Sequence, residues 1–534
     1  MRITYSKFGK RMGRLGNSIM QLCTLYGMSR RYNRELVLPE WEYQKYFKYQ
    51  IPITAKRDSS KDIGEPCYEF AEWNYWDNKE KNAGELMSIS GWLQSYKYWE
   101  EYREEIRNKL LEFDEEYKAK VYNKFKHIFE NGKQTILIGI RVGDDYLKNG
   151  NYEMLPILYQ VSALYKYFPD WVKNYNVLIF SDNFQYAKLN LDCYENIYFA
   201  EGLNDIGQLC LGTFCDHFII PNSTFSVCQV ILGQKEGSVI VRPSKYFKGY
   251  LEKNHSTRDF WEEGWIEHDY RGEKIDLKDV TFCIPVKYDH EDRAENLNLV
   301  IKWLNSNFNT NIFVGEQGGN NMWKTTNGWH NYTEFNDMKV FHRTQMLNRM
   351  FSMFAAPIDI NFDCDNICPI LQIAIGVEML RNKEADCVYP YDGRVARVGR
   401  QKWLKTLLET NGDCGVFGGE VFRGTRSIDP LSVGHIIMFN KEKFFECGGE
   451  NENFISYGPE DVERWERFNK LMNVKRLKGI VYHIDHYCGP DSSGSNPYFG
   501  KNYNELERIR KMNKDQLIKE VRSWEWVKTK KEAF

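Results

Sequence analysis

The chain has 534 residues, with 72 Lys and Arg set against 74 Asp and Glu, 42% hydrophobic and 15% aromatic residues. That balance excludes a disordered chain and a generally basic nucleic-acid binder. The length exceeds what one hydrophobic core organises, so at least two globular units are expected.

The basic start "MRITYSKFGKRMGRLGN" lacks the apolar core of a signal peptide, and no stretch reaches about 18 uninterrupted apolar residues, so a cytoplasmic protein that spans no membrane is expected. The 13 cysteines are scattered and form no CxxC pair, which suits a reducing compartment and indicates neither a disulfide framework nor a cysteine zinc site.

In chain order, "GRLGN" (13–17) runs straight into an apolar helix. Its glycines permit a close backbone approach, and the helix start attracts anions; GK[ST] is missing, so it is no Walker loop. "TILIGIRVGDDY" and "YNVLIFSDN" read as β-branched strands ending in polar loops, and "DHFIIPNSTFS" repeats the pattern. In an open α/β sheet such loops converge on a crevice at the carboxyl ends of the strands; taken singly, each is also a plain strand-end turn.

Together with "GWLQSYKYW" (91–99), these motifs resemble in order the α-1,2-fucosyltransferases of glycosyltransferase family 11. The resemblance implies a GT-B-like Rossmann-type domain over 1–252 that uses GDP-fucose without a metal. It places the essential arginine at Arg141, with Gly143 and Asp144 matching, and puts Gly13, Gly16, Asn17, Asp144, Asp182, Asn222, Ser223 and Thr224 at the nucleotide-sugar site. Gly139 and Val142 stand where the family has His and Arg, and "NSTFSVC" lacks its paired Trp. A domain that has kept this fold without catalysis is the rival reading.

The charged and aromatic stretch 252–279 separates two α/β segments, and residues 253–279 are read as a linker. Beyond it, "DVTFCIPVKYD" is a short buried strand, followed by a helix whose apolar residues recur at three and four; "NIFVGE", a helix near "RTQMLNRMFSMF" and the strand "IDINF" lead to Asp363 and Asp365. Two carboxylates so close call for a cation, or else cap the helix that follows. "YGPEDVERW" places Glu460 and Asp461 at a helix start, and "VYHIDH" supplies His483 and His486 three apart. Acid and paired imidazole suit manganese or magnesium.

These motifs resemble in order the GT-A glycosyltransferases related to β-1,4-galactosyltransferases and bacterial chondroitin-type polymerases, over 280–500. The resemblance implies an inverting, metal-dependent transfer from a UDP-sugar. Asp365, His483 and His486 would ligate the metal, Asp363 and Arg343 of "FHR" would bind donor, and Tyr457 would be the acceptor platform in place of Trp. Asp461 would be the general base beside Glu460; Pro459 stands for a family Gly, and the family's basic residue after the first strand meets only Lys287 and Asp289.

The tail 501–534 alternates charge and is read as a solvated helical extension. Trp524 and Trp526 beside "KTKK" offer at most a peripheral membrane contact. The chain is therefore read as a bifunctional glycosyltransferase for bacterial surface glycan assembly. Its partners are nucleotide sugars and a glycan acceptor, lipid-linked acceptors included, with no nucleic acid. A single active GT-A domain with an amino-terminal scaffold, and a metal-dependent phosphotransferase, stand as alternatives.

Overall fold

The computed structural model describes residues 1–9, 13–54, 62–143, 146, 150–288, 290–317, 332–335, 340–410, 412–417, 432–487 and 496–531. Two compact units result: Met1–Leu155, Tyr159–Phe184 and Asn196–Arg271 form the first, and Pro156–Leu158, Gln185–Glu195 and Gly272–Phe534 the second.

The first unit holds two parallel sheets. One is a four-stranded sheet in the order β2-β1-β4-β3, from β1 (Arg2–Thr4), β2 (Glu35–Leu36), β3 (Ile63–Gly64) and β4 (Leu86–Ser90). The other is six-stranded in the order β10-β9-β8-β5-β6-β7, from β5 (Gln134–Ile140), β6 (Tyr175–Ser181), β7 (Ile197–Phe199), β8 (His217–Ile219), β9 (Ile240–Pro243) and β10 (Ile266–His268). Every pairing in it is parallel. β5 is apolar along nearly its whole length because helices cover both faces of such a sheet. From β5 the chain builds outward through β6 and β7, then crosses to β8 on the other side. The carboxyl ends of β5 and β8 therefore flank a topological switch point, where such sheets bind ligands.

The helix Leu15–Arg31 is buried along most of its length and packs on the helix Thr224–Gly233. Gly16 allows the approach: a Cβ there would lie 2.5 Å from the Phe225 backbone nitrogen.

Residues 253–279 are not a linker. Phe260, Trp261 and Trp265 are buried in the first unit's core, Asp259 and Glu262 pair with Lys97 and Arg103, and β10 extends the six-stranded sheet. The aromatic and charged composition that suggested a connector is thus that of a packed edge.

The second unit carries a mixed seven-stranded sheet in the order β13-β12-β11-β14-β18-β16-β19. Its strands are β11 (Ile275–Lys287), β12 (Phe308–Gln317), β13 (Tyr332–Glu334), β14 (Ile358–Phe362), β16 (Cys387–Tyr389), β18 (Ile436–Asn440) and β19 (Val474–Arg476). β18 runs antiparallel to β14 and β16, and the other pairs are parallel. A three-stranded sheet, β15 (Asn366–Ile367), β20 (Ile480–Ile484) and β17 (Arg394–Val398) in the order β15-β20-β17, sits where β14 ends.

The tail is not one solvated helix. It forms the helices Phe499–Arg510, Lys514–Ser523 and Glu525–Lys531, the middle one started by a capping box between Asn513 and Gln516. Leu506, Ile509, Leu517, Val521 and Trp524 are buried, and Trp526 donates to the Gly448 carbonyl at 3.0 Å. Trp524 and Trp526 are thus engaged in packing, not presented to a membrane. Among the described residues, no helix is long and apolar enough to cross one.

Candidate functional site

In the first unit, a cleft of about 410 Å³ opens at the carboxyl ends of β5, β6 and β8. Of the predicted donor residues, Gly13, Gly16, Asn17, Arg141, Asp182, Ser223 and Thr224 line it. Arg141, immediately after β5, is ion-paired with Asp182, immediately after β6, and Asp182 also accepts from the Val142 backbone nitrogen at 3.0 Å. The Arg141 guanidinium lies 5.1 Å from the centre of the Tyr146 ring. A planar fork displayed at strand ends suits a diphosphate.

Thr224 Oγ1 donates to Asn17 Oδ1 at 2.7 Å, and the Gln94 amide donates to the same oxygen at 3.0 Å, so Asn17 ties the "GRLGN" turn to the start of the helix Thr224–Gly233. Gly13 has φ +102°, a conformation that only glycine adopts cheaply, and a Cβ there would run into the Asn17 side chain.

Asn222 departs from expectation. It is buried, and its amide donates to the carbonyls of Glu153 and Tyr246, both at 2.8 Å, so it shapes the loop beneath the cleft instead of meeting a donor. Asp144 lies outside the described residues, as does Asp289. The cleft also holds Trp92, Tyr146, Tyr152 and Tyr246, which sequence reasoning did not single out. Trp92 and Tyr146 sit inside quoted motifs, but nothing in the motifs says which aromatic turns toward the opening.

In the second unit, the predicted acids and histidines converge. Asp365, His483 and His486 each offer a ligand atom, all within 4.8 Å of one another. β15 pairs with β20 so that Asn366 faces His483, which brings the end of the acidic pair to the histidine strand. His486 Nε2 lies 3.0 Å and His483 Nε2 3.8 Å from Asp365, while His486 Nδ1 is 2.6 Å from the Tyr487 carbonyl oxygen. That carbonyl fixes the donor on Nδ1 and turns Nε2 inward, the outer-shell arrangement of metal-binding histidines.

Burial lowers the pKa of His483 and so favours the neutral, ligating form, whereas the hydrogen bond to Asp365 raises that of His486. Burial would push the Asp365 carboxyl up, but the two imidazoles and Arg293 outweigh it and hold the group ionised. Among the described residues, the buried His483 Nδ1 has no hydrogen-bond partner. One carboxylate with two imidazole nitrogens fits a divalent ion of the manganese class.

Two cations that sequence reasoning missed or only half placed answer the charge of the acidic pair. Arg293 lies 3.4 Å from Asp365, and Arg343 donates to Asp363 at 2.7 Å and reaches Asp461 at 3.5 Å. Arg464 holds Asp461 at 2.6 Å and Glu450 at 2.8 Å. Burial alone would raise the Asp461 pKa, but these arginines lower it. Asp461 Oδ2 faces Gly434, 2.5 Å from where a Cβ would stand, so only glycine leaves that oxygen uncovered there.

Burial and the Asp461 charge raise Glu460 to about 8, and among the described residues its Oε2 has no hydrogen-bond partner. Folded Glu460 thus keeps its proton where the unfolded carboxyl has lost it, so its contribution to stability is complete below the usual carboxylate range and is lost as pH rises through about 8. Glu460→Gln is expected to flatten the fall in melting temperature between pH 5 and 8, as read by calorimetry; an unchanged slope would show that Glu460 does not titrate this way. Tyr457 is 38% exposed, with its ring stacked on Phe499 at 6.1 Å, a half-open face of the kind an acceptor platform needs.

With this geometry in place, comparison with known proteins decides the class of the first unit. Residues 8–268 match glycosyl transferase family 11. The protein is a glycosyltransferase, and the match spans its first unit almost to the boundary at Arg271. It ends inside the stretch read as a linker, at residue 268. The glycosyltransferase is also similar to the solved α-1,6-fucosyltransferase NodZ co-crystallised with GDP and to NodZ from Bradyrhizobium, each with 14% identity, a TM-score of 0.28, and coverage of 43% of this chain and 92% of that one. NodZ soaked with GDP-fucose is 15% identical, with the same coverage and TM-score. No curated protein matches the chain.

Proposed function

We propose that the first unit transfers fucose from GDP-fucose to a glycan acceptor, and that the second is a GT-A-type, metal-dependent transferase using a UDP-sugar. The observation that carries the first half is the cleft at the switch point of a unit matched by family 11, with Arg141 at its β5 rim. As the glycosidic bond to the donor breaks, negative charge grows on the departing GDP. A bidentate guanidinium placed there stabilises it more in the transition state than in the ground state.

The second half rests on the convergence of Asp365, His483 and His486 with Asp363, Arg343 and Asp461. A divalent ion held by the triad would neutralise the departing diphosphate as a Lewis acid. Arg343, between Asp363 and Asp461, orients both carboxylates. Asp461, kept ionised by Arg464 and Arg343, takes the proton of the acceptor hydroxyl as the new bond forms, and Tyr457 seats the acceptor ring. One base on the acceptor side gives inversion. A cytoplasmic site of action and lipid-linked acceptors belong to the same proposal.

The test is release of nucleoside diphosphate from a panel of GDP- and UDP-sugars, with manganese and with EDTA. GDP-fucose turnover that survives EDTA beside UDP-sugar turnover that does not is the expected result. A metal-dependent signal alone, without GDP-sugar binding, would reduce the first unit to a scaffold. Release of inorganic phosphate instead would replace the second transferase with a phosphotransferase.

A further inference from the structure

Trp92 is 39% exposed although Leu93, Gln94 and Ser95 directly after it are buried, and it lines the first unit's cleft. The turn follows β4 and is held in a conformation that an unconstrained chain avoids. Gly91 has φ +148°, and Leu93, a bulky residue, has φ +54°. Such backbone persists only where its surroundings over-determine it, and it collects at functional sites.

Here the surroundings do so on every side. The Gly91 carbonyl accepts from the Tyr5 hydroxyl at 3.1 Å and the Gln21 amide at 3.4 Å. The Leu93 carbonyl accepts from Thr24 at 2.8 Å, and the Leu93 backbone nitrogen donates to Glu65 at 2.9 Å. The Gly91 Cα packs so closely on Glu65 that a Cβ would lie 2.4 Å from the Glu65 Cβ. Burial lifts the Glu65 carboxyl to about 8. Gln94, next along, donates to Asn17 and accepts from Tyr68 at 2.5 Å, which locks the turn to the "GRLGN" loop. With Leu93 fully buried on one side, the indole of Trp92 is left presented to the cleft.

We propose that Trp92 is the stacking platform for the acceptor's sugar ring in the amino-terminal cleft, displayed by the turn that Glu65 clamps. The proposal rests on the reading of this unit as a GDP-sugar transferase. A pyranose presents a face of C–H groups that packs on an aromatic plane, while its hydroxyls need polar partners at the edge. Arg141, Asp182, Ser223 and Thr224 line the cleft from the six-stranded sheet and suit the charged donor, whereas Trp92 follows β4 of the four-stranded sheet, as the "GRLGN" turn follows β1. A nucleobase would also stack on an indole, and the experiment separates the two occupants.

The full-length protein and its Trp92→Ala, Trp92→Phe, Arg141→Ala and Tyr457→Ala variants would be titrated with GDP by calorimetry. Each would also be passed over an array of immobilised neutral oligosaccharides ending in galactose, N-acetylglucosamine or mannose. Trp92→Ala is expected to lose about 10- to 100-fold in glycan retention while GDP affinity stays within about twofold, and Trp92→Phe to keep most retention. Arg141→Ala should show the opposite split. Tyr457→Ala separates any retention that runs through the second unit.

Glycan retention unchanged in Trp92→Ala would overturn the proposal, as would a loss of GDP affinity as large as that of Arg141→Ala. A wild type that binds GDP but retains no oligosaccharide would overturn it too. A wild type that fails to bind GDP, yet retains glycans through Trp92, would sink the donor reading and leave the platform standing.

Discussion

Arg141→Ala is expected to lower GDP-sugar turnover by about 10²- to 10³-fold, the usual consequence of removing a preorganised charge from a developing anion. The loss should fall mainly on kcat, because the guanidinium gains most from charge that appears only as GDP departs. Arg141→Lys should rescue little, since an ammonium is a point charge and cannot make the paired hydrogen bonds of a planar fork. The fold should survive, because Asp182 keeps the Val142 backbone nitrogen as a partner when the guanidinium is removed. Metal-dependent UDP-sugar turnover by the second unit should be unaltered in the same variant. Undiminished GDP-sugar turnover by a folded Arg141→Ala protein would remove Arg141 from the mechanism.

The contrast between Arg141 and Asn222 shows what sequence carried and what it did not. Both lie just past apolar strands in polar loops, and sequence placed both at the donor site. Arg141 does line the cleft, but the Asn222 amide is spent on two backbone carbonyls. Strand-end position is written in the alternation of apolar and polar residues; the direction of a side chain is set by loops folded later.

The acidic pair makes the same point at longer range. Asp363 and Asp365 could be read as needing a counter-charge, yet their arginines stand 20 and 72 residues away, at Arg343 and Arg293, and no local spacing reveals such partners. Arg464 stands three residues from Asp461 on one helix face, so that pairing, unlike the other two, is written in local spacing. The stretch 253–279 and the carboxy-terminal tail misled for one shared reason: both are rich in charge, and in both the charges surround aromatic and aliphatic residues that are buried, Trp261 and Trp265 in one, Leu517 and Trp524 in the other. Composition averages over the two faces of an element, whereas packing depends on one of them.

Asp365→Ala is expected to abolish binding of manganese by the triad and, with it, all UDP-sugar turnover. Asp365 is the only anion of the three, so its removal leaves two imidazoles whose nitrogens bind a hard divalent ion weakly. It also removes the carboxylate that faces the Arg293 guanidinium at 3.4 Å, so Asp365 no longer offsets that positive charge beside the ion's site. A loss of at least about 100-fold in manganese affinity is therefore expected, beyond what outer-shell changes alone cause. The free-ion resonance of manganese in a titration reads this directly, without substrate. The hydrogen bond to Asp365 raises the pKa of His486, so in the wild type protons compete with manganese and affinity should weaken as pH falls through the titration of that imidazole; in Asp365→Ala the source of the shift is gone. GDP-sugar turnover should persist in this variant, as UDP-sugar turnover persists in Arg141→Ala. A folded Asp365→Ala protein that binds manganese as the wild type does would show that the triad is not the metal site, and one that loses both activities would show that the two units do not act independently.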